Sequence, residues 1–189
     1  MPVKIVIAGG FGVGKTTAVS AISEITPLTT EATMTSVSVD VDATDGVPDK
    51  TTTTVALDFG CITLDDALKL YLFGTPGQDR FGFMWRDLTN GALGALVIVD
   101  ARRLDECYPA VDYFEQIGLP FVVAVNLFHG ELTYDLNNIR WALAMGHDIP
   151  LITFDARVRS SVRNALLSVL SCTKERARRH REKIQVVYR

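Results

Sequence analysis

The chain has 189 residues, 48% of them hydrophobic and 22% charged, with a formal net charge of −3. A chain of that length normally folds as one domain, here 1–189, and this balance excludes a disordered segment or a protein that coats nucleic acid. Cys61, Cys107 and Cys172 are far apart, with neither zinc-site nor redox spacing, and the longest apolar run, "ALGALVIV" before Asp100, is too short for a membrane span. The expected setting is the cytoplasm. The start, "MPVKIVIAGG", reaches a glycine turn too early for a signal peptide, and no lipidation pattern is readable.

Val3 to Ala8 is a β-branched run and the first predicted strand. It runs into "GGFGVGKT", which matches G-x-x-x-x-G-K-[ST] through Gly9, Gly14, Lys15 and Thr16, with a helix predicted over 15–25 behind it. In such a loop successive backbone N–H groups curl around a phosphate, the helix start adds positive dipole, the lysine adds a point charge, and the hydroxyl can ligate magnesium. Gly9, Gly10, Phe11, Gly12, Val13, Gly14, Lys15, Thr16 and Thr17 are therefore candidate phosphate-binding residues. Lys15 is also a catalytic candidate and Thr16 a metal ligand.

From Thr29 to Thr53 the chain is rich in Thr, Ser and Asp and longer than a compact domain usually tolerates without a use, so it reads as a mobile functional loop, or else as a disordered insertion or an extra hairpin around "SVSVDV". Strands follow over 54–62 and 68–73, separated by a turn too short for a crossover, which makes them antiparallel neighbours. The second leads into "GTPGQDRF", placing Gly77 and Gln78 near the terminal phosphate, where Gln78 would orient an attacking water.

A helix is predicted over 79–90, and its Phe81, Phe83, Met84, Trp85 and Leu88 exceed what one side of a short helix buries. Part belongs to the core; the rest would form a partner-binding patch. Further strands are predicted over 95–100, 121–126 and 150–154, and helices over 107–117, 135–144 and from Ser160 into the tail. This alternation implies a mostly parallel sheet covered on both faces. The tail, 174–189, carries seven Lys/Arg against two Asp/Glu. It reads as the solvated end of the last helix, or as a patch attracted to anionic lipid or an acidic partner; without interleaved aromatics it does not suggest nucleic acid.

With "GGFGVGKTT", "TTTTVALDFG", "FGTPGQDRFGFMW", "VVAVNLF" and "DAR", nearly the whole chain resembles the Ras-like small GTPases, within them the bacterial gliding and polarity branch, and most of all the actinobacterial conservon group. The resemblance implies an α/β P-loop NTPase fold with a six-stranded, mostly parallel sheet containing one antiparallel strand, and bound GDP or GTP with Mg2+. It implies that Thr54 of the first switch reaches the metal, with Thr53 a near competitor, and that the second switch begins at Gly74 and includes Gln78. It also implies that Asp155, Ala156 and Arg157 form a base-contacting loop, with the Ala156 N–H donating to guanine O6. Arg80 is the candidate for an arginine supplied in cis, and reads equally as a surface arginine that pairs with a neighbour or a partner. A roadblock-fold regulator, and through it a membrane-associated sensor-kinase-like assembly, are the implied partners.

Three departures stand out. Gly74 occupies the place of the Asp that holds magnesium through water, which implies weaker metal affinity. Phe11 puts a ring where Gly is frequent, which implies slow hydrolysis. Asn126 opens the stretch where Asn-Lys-x-Asp selects guanine, but His129 stands at the Asp position. A neutral imidazole has one acceptor nitrogen and cannot pair with guanine in a bidentate manner, so base preference should weaken; as a loop residue His129 also reads as plain surface. The sequence thus suggests a slow GTPase switch. A non-hydrolysing nucleotide-bound interaction module is the alternative, and a small P-loop kinase is disfavoured by the "GTPGQDRF" and "DAR" segments.

Overall fold

The computed structural model describes residues 2–31, 56–65, 68–77, 79–128, 130, 132 and 134–187. Thr54, Gln78, His129 and most of the loop over 29–53 lie outside these residues.

All six expected strands form: β1 (Pro2–Ala8), β3 (Ala56–Asp65), β4 (Leu68–Gly74), β5 (Gly94–Val99), β6 (Phe121–Asn126) and β7 (Leu151–Phe154). A seventh, β2 (Leu28–Glu31), joins the edge and takes over the start of the expected long loop, as its β-branched threonines favour. The sheet order is β2-β3-β4-β1-β5-β6-β7. Among the described strands only β3 runs against the others, pairing antiparallel with both β2 and β4. β1 pairs parallel with β4 on one side and β5 on the other, so the order turns at β1, where α/β sheets place their ligands.

The strand period of two divides the core. Ile5 and Ile7 join Leu72, Ile98, Val122 and Ala124 on one face, covered by Val19 and Ile22 of α1 (Lys15–Ile22) and Val162, Leu166 and Val169 of α5 (Arg159–Val187). Val6 and Ala8 join Val97, Val99, Val123 and Val125 on the other, under Trp85 of α2 (Trp85–Thr89), Phe114 of α3 (Tyr108–Ile117) and Ile139 of α4 (Leu136–Ala142). β5 and β6 are buried along their whole length, which explains their unbroken apolar sequences. Each large side chain buried this way contributes about 1.5–3 kcal/mol.

The helix expected over 79–90 divides into a 3-10 stretch, Asp79–Met84, and the five-residue α2. Gly82 in its middle weakens an α-helical start. The aromatic cluster also divides. Trp85 is buried, stacked 6.3 Å from Phe114 and edge-on 5.2 Å from Tyr113, whereas Phe83 is 66% exposed. Past its contacts with the sheet, α5 continues as an exposed helix with ion pairs one turn apart, Arg179 to Glu175 and Arg178 to Glu182. No helix among the described residues is long and apolar enough to cross a membrane.

Candidate functional site

The glycine loop between β1 and α1 closes on Lys15. Its ammonium donates to the carbonyls of Gly9 at 2.8 Å and Gly10 at 2.6 Å and is only 8% exposed. Burial lowers its pKa to about 8, against the opposing pull of Asp58 nearby. Gly14 sits at φ 106°, where a side chain is strained, and a Cβ there would come within 2.6 Å of the Asn126 amide nitrogen. The glycine therefore permits the helix start to meet the end of β6.

The segment after β4 reaches this loop at Gly77. A Cβ on Gly77 would lie 2.6 Å from Lys15 Nζ and 2.8 Å from the Gly10 carbonyl, so the backbone after β4 lies directly against the phosphate cradle. Arg80 is in the 3-10 stretch that follows.

A carboxylate lies beside position 74 on the neighbouring strand. Phe59 pairs with Phe73 across β3 and β4, which places Asp58 opposite Gly74. A Cβ on Gly74 would meet Asp58 Cβ at 2.9 Å and Oδ2 at 3.0 Å. Asp58 is buried, and its Oδ2 accepts a 2.6 Å hydrogen bond from the Thr16 hydroxyl. The carboxylate that lies beside position 74 is thus that of Asp58 on β3, in space that Gly74 leaves open. A hard-oxygen pair, Thr16 Oγ1 with Asp58 Oδ2, beside a lysine and a phosphate loop suits Mg2+, which takes few protein oxygens and completes its shell with phosphate and water. One residue beyond Gly74, the buried Thr75 hydroxyl has no hydrogen-bond partner among the described residues.

On the other side, Asn126 is a buried tie. Its Nδ2 donates to the Val13 carbonyl at 2.9 Å, and its Oδ1 accepts from the Ala156 N–H at 3.1 Å. The N–H expected to meet guanine O6 is thus engaged with Asn126 in this structure. Asn126→Ala would leave a buried carbonyl and a buried N–H unpaired, and urea unfolding should show a loss of about 2–4 kcal/mol.

The tripeptide Asp-Ala-Arg occurs twice, after β5 and after β7, and folds alike both times. Asp100 accepts the backbone N–H of Arg102 and both arms of its guanidinium, at 2.7–3.0 Å; Asp155 treats Arg157 identically, at 2.7–3.0 Å. These fork-like pairs hold both carboxyls below the usual carboxylate range, through hydrogen bonds from their arginines. The two arginines brace the same loop, because Arg102 lies over the Phe128 ring at 4.4 Å and Arg157 reaches the Leu127 carbonyl at 3.5 Å.

The structure thus gathers Gly9 to Thr17, Gly77, Asn126 and Asp155 to Arg157 at one end of the sheet and adds Asp58, Asp100, Arg103 and Glu106, which the sequence reading did not single out. Phe11 is 64% exposed and turns its carbonyl to Arg103. Asp58 left only a partial signal, an aspartate inside the strand predicted over 54–62, and only the strand register places it across from Gly74.

Solved proteins share this fold. The FeoB G-domain from Methanococcus jannaschii aligns with a TM-score of 0.59 at 16% identity, covering 92% of this chain and 98% of that one. The G domain of the T. maritima FeoB iron transporter aligns with a TM-score of 0.59 at 17% identity, covering 94% and 99%. Likeness at that identity defines the fold, an α/β P-loop architecture of the G-domain kind. Within that class, residues 7–179 match the model of the family described as "Conserved hypothetical ATP binding protein", and the chain belongs to that family. It is also 32% identical, over 126 residues, to an uncharacterized protein of Methanocaldococcus jannaschii, an alignment spanning 66% of this chain and 69% of that protein. The chain is therefore a nucleotide-binding P-loop protein.

Proposed function

We propose that the chain is a guanine-nucleotide switch of the bacterial gliding and polarity branch, near the conservon group, which hydrolyses GTP slowly with Mg2+ and signals through a partner at its switch loops. The observation that carries this reading is the convergence of Lys15, Thr16, Asp58 and Gly77 within hydrogen-bonding or contact distance at the sheet's turning point. A cation, a metal-ligating oxygen pair and a backbone segment able to sense a terminal phosphate are the parts that phosphoryl transfer uses, since its catalysis is mostly positioning and charge stabilisation. Thr16 and Asp58 would hold the metal, with Thr54 joining in the triphosphate state. When bound, the ion would neutralise charge on the outer phosphates. Gln78 would orient water, Arg80 is the cis arginine, and the exposed Phe83 beside the second switch offers the nucleotide-dependent patch to a roadblock-fold regulator and a membrane-associated sensor-kinase-like assembly. The basic end of α5 would add peripheral attraction to that membrane.

Guanine would be favoured through the Ala156 N–H once it exchanges its bond to Asn126 for the base oxygen, with His129 in place of a bidentate aspartate weakening the preference. Titrating GDP, GTP, ADP and ATP into nucleotide-stripped protein with magnesium should give tighter guanine than adenine binding. His129→Asp should widen the gap about 10- to 100-fold. Equal binding of adenine nucleotides would replace the guanine reading with an ATP-binding one, the chemistry in the family's description. Tight GTP binding without phosphate release, with or without partner, would favour the non-hydrolysing interaction module.

A further inference from the structure

We propose that Arg103 is a positioning residue of the phosphate loop, holding the Phe11–Gly12 peptide so that the Gly12 N–H stays turned toward bound phosphate; this rests on the nucleotide reading above. The Arg103 Nη2 donates to the Phe11 carbonyl at 3.0 Å, and its Nη1 to Glu106 Oε1 at 2.9 Å. Nε lies 3.6 Å from Oδ2 of the buried Asp100. Two carboxylates therefore fix the guanidinium, one of them also held by Arg102. The whole segment after β5 is seated on the outside of the loop, since a Cβ on Gly10 would come within 2.9 Å of both Glu106 Cβ and its carbonyl.

The described chain has no cis peptides, and in a trans peptide the carbonyl and the N–H point in opposite directions. A guanidinium on the Phe11 carbonyl therefore directs the Gly12 N–H to the face away from Arg103. This plane needs an external hold. Gly12 adopts φ 71° and, lacking a Cβ, resists rotation of the preceding peptide less than any other residue type, while the exposed Phe11 ring provides little anchorage. A charge-assisted bond to the carbonyl also polarises the peptide and strengthens its N–H as a donor.

Arg103→Met and Arg103→Lys, compared with the unaltered protein, test this through nucleotide affinity, single-turnover hydrolysis, thermal unfolding and the Gly12 amide resonance of the nucleotide-free protein. The expected result for Arg103→Met is triphosphate binding weakened about 10- to 100-fold with a matching fall in rate, little change in melting temperature, and a broadened or doubled Gly12 resonance. Arg103→Lys should recover part of the affinity and a single resonance. The proposal is overturned if Arg103→Met binds within about twofold of the unaltered protein and keeps one sharp Gly12 signal. It is equally overturned if affinity falls only in step with melting temperature and Arg103→Lys restores nothing. Should the unaltered protein bind no nucleotide, the functional reading fails while the Gly12 resonance still decides the clamp.

Discussion

Asp58→Ala should remove most of the magnesium-dependent part of triphosphate binding, about 10- to 100-fold, while leaving binding in the presence of a chelator nearly unchanged. The reasoning starts from the Thr16 hydroxyl, which donates to Asp58 Oδ2 at 2.6 Å and so keeps a lone pair for a cation. Without the carboxylate, that hydroxyl loses its orientation and the metal loses a nearby negative charge; Lys15 also loses the carboxylate that favours its charged form. Titrations with and without magnesium on both proteins separate these effects. Equal magnesium enhancement in the two would show that Asp58 serves only to tie Thr16 to β3.

The neighbouring glycine makes a sharper version possible. Gly74→Asp alone should be harmful, because its Cβ would press to 2.9 Å against Asp58 and set two carboxylates side by side. Asp58→Gly with Gly74→Asp moves the charge across one pair of antiparallel strands into the space just vacated. Magnesium enhancement should return in the double variant and in neither single one. A double variant as deficient as Asp58→Ala would mean that the metal requires the carboxylate on β3.

What the sequence revealed and what it hid divide by distance along the chain. The phosphate loop was readable because its chemistry is contiguous: Gly9 through Thr16 carry the turn, the donors and the cation in eight residues. The six main strands were readable because β5 and β6 are apolar throughout and β3 and β4 are joined too tightly for a crossover. Asp58 was not readable as a site residue, since its role arises only when strand register places it opposite Gly74, 16 positions later. Arg103 was hidden for the same reason, meeting Phe11 across 92 positions. The repeated Asp-Ala-Arg shows the opposite limit. Its local fold follows from three residues, yet what each arginine braces depends on where β6 ends. Helix boundaries slipped where a glycine or a 3-10 turn competed with the apolar pattern, as at Gly82.

Lys15→Met should weaken triphosphate binding by about 100-fold or more, and proton exchange should report the same ammonium in the unaltered protein. Burial lowers the Lys15 pKa from 10.5 to about 8 in the folded, ligand-free chain. Between those values the unfolded chain binds more protons than the folded one, so stability should rise with pH from about 8 and level off near 10.5, a gain of at most about 3 kcal/mol. Lys15→Met should abolish that part of the slope. Bound phosphate reverses the preference, because an adjacent anion favours the ammonium over the amine. At pH 8 the free protein is about half protonated at this site, so nucleotide binding should take up about half a proton, and at pH 6 almost none. Calorimetry in two buffers of different ionisation enthalpy measures the uptake directly. Absence of uptake at pH 8 together with unimpaired binding by Lys15→Met would mean that phosphate sits away from this lysine, and that the loop, though folded as a cradle, binds its ligand elsewhere.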